Sequence, residues 1–98
     1  MLDILVVDDD EDVRKSLADA LASAGHRVAQ AGDGEEAMSL FAHRAFDVAV
    51  CDVQMPRMDG LTLCRRLHRE SPATALVLMT SYGNVPDAVS SLRSGVID

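Results

Sequence analysis

The chain has 98 residues, 48% hydrophobic and 26% charged, which is the composition of one ordinary globular domain and leaves no room for a second. A formal net charge of −7, with one lysine in the whole sequence, argues against direct nucleic-acid binding, because neutralising phosphates needs clustered Lys and Arg. No apolar run approaches membrane-spanning length and no stretch has the features of a signal peptide, so both cysteines are predicted to be buried thiols in a reducing cytoplasm.

The first thirty residues predict a strand, a helix and a second strand. Residues 4–7 form an unbroken apolar run, as expected of a buried parallel strand, and five acidic residues follow at once. A helical apolar stripe comes next and ends at Gly25, which suits the position just after a helix. The stripe consists of Val13, Leu17, Ala20, Leu21 and Ala24. Arg27–Ala31 is predicted to be the second strand.

The middle of the chain continues this alternation. After a glycine turn, Asp33 and Glu36 resemble a capping box at the start of a second helix. Its apolar positions are Ala37, Leu40 and Phe41. Residues 46–52 are predicted to be the third strand, whose apolar run ends at Asp52.

The remaining residues predict two helices and two strands. Leu61, Cys64 and Leu67 mark a third helix, which Pro72 ends. The later elements are a fourth strand at Ala75–Met79 followed by Thr80, a helix from near Pro86 to Gly95, and the opening of a fifth strand at Val96–Ile97.

Strict alternation of strands and helices predicts a parallel sheet with right-handed crossovers and helices on both faces. We therefore expect a flavodoxin-like, doubly wound α/β fold with strand order 2-1-3-4-(5). The switch point of this order lies between the first and third strands, where such sheets bind ligands outside the carboxyl ends. Asp8, Asp9 and Asp52 end these two strands, so their carboxylates are predicted to share one crevice.

Three carboxylates in one crevice repel each other unless a cation stabilises their ionised forms. Mg²⁺ suits such a site because it prefers oxygen ligands and keeps coordination positions for phosphate oxygens. The hydroxyl of Thr80, beside Asp52, could hydrogen-bond a phosphate, and an Asp carboxylate can itself attack phosphorus. The pattern predicts a magnesium-dependent phospho-acceptor site.

Three segments carry a family resemblance: V-V-D-D-D at residues 6–10, C-D-V-Q-M-P-R-M-D-G at 51–60 and L-M-T-S at 78–81. In sequence and spacing they closely resemble the CheY-like receiver domain of two-component response regulators. The resemblance covers the whole chain, so residues 1–98 are expected to form one receiver domain. Residues 79–98 look most like receivers of the NtrC class, which drive ATPase activators of transcription.

The resemblance implies a role for each site residue. Asp52 would accept a phosphoryl group from the phosphohistidine of a sensor histidine kinase, and Thr80 would be the switch hydroxyl. Asp9 would bind Mg²⁺ directly, Asp8 would bind it through water, and the backbone carbonyl of Gln54 would complete the protein ligands. The chain would then be no conventional enzyme but a cytoplasmic phospho-acceptor that assists its own phosphorylation and dephosphorylation. Its altered surface would control an output domain, in the same protein or a partner, that regulates transcription.

The sequence partly matches three alternative functions. Residues 32–37 match G-x-G-x-x-A, a dinucleotide-binding pattern, but three acidic residues at this predicted helix start would repel a pyrophosphate. A phosphohydrolase of the haloacid dehalogenase type would use Asp8 as its nucleophile, but Glu11 and Asp12 replace the expected Thr and Gly. A pseudo-receiver would keep the fold and act as an interaction module without being phosphorylated.

The chain departs from the family pattern near its carboxyl end. Receivers carry a lysine at the end of the fifth strand, whereas the lysine of this sequence is Lys15, on the predicted first helix. The family position would fall beyond Asp98, so the rest of the fifth strand and the last helix are expected to be missing from this chain. We expect it to be the ordered part of a longer protein, with a homodimer as the alternative.

Overall fold

The computed structural model describes residues 1–52 and 60–79 and the backbone of a short strand near the carboxyl end. Its elements are β1 (Asp3–Val7), α1 (Glu11–Ser23), β2 (Arg27–Ala31), α2 (Gly34–His43), β3 (Val48–Asp52), α3 (Gly60–Glu70), β4 (Ala75–Met79) and β5 (Val96–Ile97). The strands form one parallel sheet in the order β2-β1-β3-β4-β5. The predicted fold class and strand order are confirmed. The helix expected from near Pro86 lies outside the described residues.

Strand β1 is central and buried on both faces, as its unalternated apolar sequence predicted. It pairs with β2 and β3, and Ile4, Leu5, Val6 and Val7 are at most 4% exposed. Leu5 and Val7 belong to the main core on the face covered by α2 and α3. The other buried members of this core are Ala31, Ala37, Phe46, Ala49, Cys51, Leu63, Cys64, Leu67, Leu76 and Leu78.

The apolar stripe predicted for helix α1 is only partly buried, since Leu17 and Leu21 are half-buried. Ala18, which was not in the stripe, is the buried residue of the helix, whereas Ala20 is exposed and Val13 is 47% exposed. The helix packs mainly on β2 and β1. Val13 and Leu17 instead border an open apolar groove of about 530 Å³, which also reaches Met79 at the end of β4.

Strand β3 begins at Val48, two residues later than predicted. The side chain of Asp47 accepts a hydrogen bond from the backbone N–H of Asp3 at 2.8 Å, so a carboxylate takes part in the pairing at this point. Phe46, just before it, is buried and packs against Phe41, with ring centroids 5.0 Å apart. The N–H of Asp47 also donates to the carbonyl of Asp3 at 2.8 Å, and its carbonyl accepts from the N–H of Ala75 at 2.9 Å, so main-chain bonding to both neighbours is already present one residue before the assigned strand.

The helix ends largely follow the predicted capping. Gly25 follows α1 in a left-handed conformation, with φ of 97°. Asp33 caps α2 by accepting a hydrogen bond from the backbone N–H of Glu36 at 2.8 Å. The Glu36 carboxylate accepts its bond from the N–H of Gly32 at 3.3 Å, one residue before the position that a capping box uses. Within the described part of the chain, no helix is long and apolar enough to span a bilayer.

Candidate functional site

Three carboxylates meet where β1 and β3 end. Val7 pairs with Cys51 across these strands, so the next residues, Asp8 and Asp52, leave the sheet side by side. One oxygen from each of Asp8, Asp9 and Asp52 lies within 4.8 Å of the other two. Asp8 is buried, Asp52 is half-buried and Asp9 is exposed. The predicted acidic cluster is therefore present at the switch point of the sheet.

The other two predicted site residues, Gln54 and Thr80, lie outside the described residues. Met79, the last residue of β4, nevertheless pairs with Asp52, so β4 and β3 end side by side. Thr80 is the next residue along the chain.

Asp8 is held by hydrogen bonds to its backbone and its side chain. Its N–H donates to the carbonyl of Ala31 at 3.1 Å, which extends the pairing with β2 by one residue. Its carbonyl accepts a bond from Nη1 of Arg14 at 3.0 Å. Its carboxylate accepts from the backbone N–H of Asp10 at 2.9 Å, which fixes the turn that follows. Arg14 was not among the predicted site residues.

The same turn starts helix α1. Asp10 is the N-cap, and its carboxylate accepts bonds from the N–H groups of Asp12 at 3.0 Å and Val13 at 3.2 Å. The helix therefore begins immediately after the acidic cluster. Its amino end carries the positive end of the helix dipole, which favours nearby negative charge.

The environment of Asp8 disfavours its ionised form. Burial raises the pKa of this carboxyl above 3.8, and the charges of Asp52, Asp9 and Asp10 raise it further, while the hydrogen bond from the Asp10 N–H lowers it. A divalent cation beside the three carboxylates would remove this penalty. The hard, anionic oxygen donors fit Mg²⁺.

Asp8→Asn is expected to stabilise the metal-free protein near neutral pH. The folded-state pKa of Asp8 is raised, so the folded protein binds this proton more tightly than the unfolded chain does. The resulting stability is present at acid pH and is lost as the pH rises through the raised pKa. Asn cannot ionise, yet its side-chain oxygen can still accept the bond from Asp10.

Urea unfolding in EDTA at several values between about pH 4 and pH 7 tests this expectation. The free energy of unfolding of Asp8→Asn should exceed that of the wild type increasingly as the pH rises. Asp19→Asn, on the exposed face of α1, controls for the change in net charge. If Asp8→Asn were less stable than the wild type at pH 7, or if the difference in stability did not depend on pH, the raised pKa of Asp8 would be contradicted.

Cys51 precedes Asp52 but offers no competing nucleophile. Both cysteines are free and buried, as predicted. The hydrogen bond with Cys64, together with burial, raises the pKa of the Cys51 thiol well above 9.0. Thiols react as thiolates, so this one stays inert at neutral pH. Between Cys51 and Asp52, the group suited to attack an electrophile is the carboxylate.

A doubly wound sheet of order 2-1-3-4 with an acidic cluster at its switch point defines a flavodoxin-like protein of the CheY-like receiver type. Comparison with known proteins gives the family. Residues 4–98 match the profile of the response regulator receiver domain. The chain belongs to this family, and the resemblance drawn from the sequence motifs is confirmed.

The relatives include regulators of more than one kind. Response regulator MprA of Mycobacterium sp. (strain KMS) is 42% identical over 95 residues, which are 97% of this chain and 41% of the relative. Transcriptional regulatory protein ZraR of Escherichia coli O157:H7 is 38% identical over 97 residues, 99% of this chain and 22% of the relative. The crystal structure of NtrX from Brucella abortus has a TM-score of 0.93 at 34% identity and covers 99% of this chain and 22% of that one. ZraR and NtrX are NtrC-class regulators, and the chain spans less than half the length of each of these relatives.

Proposed function

We propose that this chain is the phospho-accepting receiver of a cytoplasmic two-component response regulator. Mg²⁺-dependent transfer of a phosphoryl group to Asp52, from the phosphohistidine of a sensor histidine kinase, would switch the surface that controls an output domain. The clustering of the Asp8, Asp9 and Asp52 oxygens within 4.8 Å of one another is the observation that most directly supports this proposal. The similarity to ZraR, a transcriptional regulatory protein that is much longer than this chain, supports a transcriptional output.

Four residues would hold the metal in this proposal. Asp9 and Asp52 contribute carboxylate oxygens, Asp8 acts through water, and Gln54 contributes its backbone carbonyl. When bound, Mg²⁺ supplies positive charge that neutralises the transferring phosphoryl group. Asp9 is exposed and Asp52 is half-buried. This exposure supports both as direct ligands of the metal, because a cation and a phosphodonor must both reach the site from solvent.

The transfer itself needs one nucleophile and one leaving group. A carboxylate oxygen of Asp52 attacks phosphorus, an O–P bond forms as the N–P bond of the phosphohistidine breaks, and the electron pair returns to the imidazole nitrogen. Hydrolysis of the resulting acyl phosphate by water resets the acceptor. The chain thus assists its own phosphorylation and dephosphorylation without being a conventional enzyme.

Thr80 is the switch hydroxyl of this proposal. The pairing of Met79 with Asp52 supports the assignment, since the next residue follows directly beyond the acceptor's strand partner. Its hydroxyl would donate a hydrogen bond to an oxygen of the bound phosphoryl group. Movement of Thr80 toward the phosphoryl group would carry the chemical change at Asp52 to the segment after β4.

Mapping the site of phosphorylation tests the proposed function. The protein is incubated with Mg²⁺ and acetyl phosphate, the acyl phosphate is reduced with borohydride, and the labelled peptide is sequenced by mass spectrometry. We expect one label, on Asp52, that requires Mg²⁺. A label on Asp8 would instead support the phosphohydrolase. A chain extended past Asp98 that binds Mg²⁺ and acquires no label would be a pseudo-receiver.

A further inference from the structure

Arg14 connects the acidic turn after β1 to the neighbouring strand β2. From the first turn of α1, its Nη1 donates to the backbone carbonyl of Asp8 at 3.0 Å. Its Nε donates to the side-chain oxygen of Gln30, on β2, at 3.2 Å. The two bonds use different nitrogens of one planar guanidinium, so the position of the group is fixed relative to both segments.

The end of β2 leaves space for this guanidinium. A Cβ added to Gly32 would lie 3.3 Å from Nη1 of Arg14, which is tighter than most such contacts. The N–H of Gly32 is itself bonded to the Glu36 carboxylate at 3.3 Å, so the turn at Gly32 is tied to α2. Arg14 is therefore held between the acidic turn and a turn that is itself anchored.

The bonds of Arg14 reach the backbone of the acidic turn. Its partner there is the main-chain carbonyl of Asp8, and the N–H of the same residue is bonded to Ala31 of β2. Both backbone groups of Asp8 are thus tied to the β2 side of the sheet, one of them through Arg14. Because Asp9 follows directly, this anchoring also limits where its exposed carboxylate can lie.

We propose that Arg14 is a positioning residue of the metal site, which braces the turn carrying Asp8 and Asp9 so that both carboxylates are presented to the cation together. Three carboxylates within 4.8 Å repel each other, and a free turn would relax outward when no cation is bound. A braced turn avoids reordering on binding and so raises affinity. The inference rests on the proposed function, since it concerns the same magnesium site.

Titration with Mg²⁺, followed by amide chemical shifts, compares Arg14→Met with Lys15→Met. Each variant removes one positive charge from α1, but Lys15 is exposed and pairs with exposed Glu11 at 3.2 Å. Loss of an outer-shell partner of a metal ligand typically costs about 10–100-fold in metal affinity, and we expect about tenfold for Arg14→Met because its bond is to the backbone. Lys15→Met should stay within about twofold, as exposed ion pairs contribute little.

Two further variants separate geometry from charge and from folding. Arg14→Lys keeps the charge but loses the planar fork, so it should bind Mg²⁺ about as weakly as Arg14→Met. Gly32→Ala keeps Arg14 but crowds its guanidinium, and should weaken Mg²⁺ binding in the same direction by a smaller factor. Gly32→Ala also keeps the test valid if the Arg14 variants fail to fold.

The magnesium dependence of phosphorylation by acetyl phosphate gives a readout that a purely structural role would not produce. In Arg14→Met the half-saturating Mg²⁺ concentration should rise by the same factor as the dissociation constant, while the rate at saturating Mg²⁺ stays within about twofold of wild type. If Arg14 acted on stability alone, Arg14→Met would lower the rate at saturating Mg²⁺ or the urea concentration at the midpoint of unfolding. The half-saturating Mg²⁺ concentration would then stay unchanged.

The outcomes distinguish this inference from the proposed function. A wild-type protein that binds no Mg²⁺ would overturn both. Wild-type binding with equal affinities for Arg14→Met and Lys15→Met would overturn the positioning role and leave the receiver intact. Wild-type affinity in Arg14→Lys would show that the planar fork joining Asp8 to Gln30 is not needed, and would also overturn the positioning role.

Discussion

Asp52→Asn is expected to abolish phosphoryl transfer to this chain. The amide has nearly the same shape as the carboxylate, but it carries no negative charge and is a poor nucleophile toward phosphorus, so we expect a loss of at least about a thousandfold. The fold should be retained, because Asp52 is half-buried at the end of β3 and its removal relieves repulsion with Asp8. Intact-protein mass spectrometry after incubation with Mg²⁺ and acetyl phosphate measures the result.

The control for Asp52→Asn is Asp12→Asn. Asp12 is an exposed carboxylate in the first turn of α1 and is not one of the three clustered acids. This variant changes net charge equally and should gain mass like the wild type. A mass gain in Asp52→Asn as large as that of the wild type would refute the assignment of Asp52 as the acceptor. If that gain then disappeared in Asp8→Asn, the hydrolase interpretation would replace the receiver.

The parts of the fold that depend on unbroken apolar runs could be predicted from the sequence. The run before Asp8 is buried on both faces in β1, and the run before Asp52 forms most of β3. An acid that ends such a run must emerge at the carboxyl edge of a parallel sheet, so the acidic cluster followed from strand order alone. Three of the five predicted site residues could be located in this way, because they directly end or follow these strands.

The residue that α1 buries most deeply could not be predicted in the same way. Ala18 and Ala20 are equally apolar, so residue type does not decide between them, and in the structure Ala18 is buried and Ala20 is exposed. Arg14 lies half-buried on this helix, because its aliphatic stem can pack while its charged end forms hydrogen bonds. The sequence signal for Arg14 was a basic residue shortly after five consecutive acidic residues. That signal could not identify Gln30 as its partner.

Asp9→Asn is expected to weaken Mg²⁺ binding by more than the roughly 10–100-fold that loss of an outer-shell partner costs, because Asp9 is proposed to bind the metal directly. A neutral amide oxygen is a weaker ligand for a hard cation than a carboxylate. The free energy of unfolding without metal should be unchanged or higher. Asp9 is exposed, and its charge is one of those that raise the pKa of Asp8.

Two measurements on the same samples separate these effects for Asp9→Asn: a Mg²⁺ titration, and urea unfolding in EDTA. Asp12→Asn again provides the matched control, since it removes one negative charge three residues further along the chain. The wild type should gain stability as Mg²⁺ is added, in proportion to the logarithm of its concentration above the dissociation constant. Asp9→Asn should need much more Mg²⁺ for the same gain, although it starts from equal or greater stability. Unchanged Mg²⁺ affinity, or a clear loss of metal-free stability, would show that Asp9 holds the turn together and does not bind the metal.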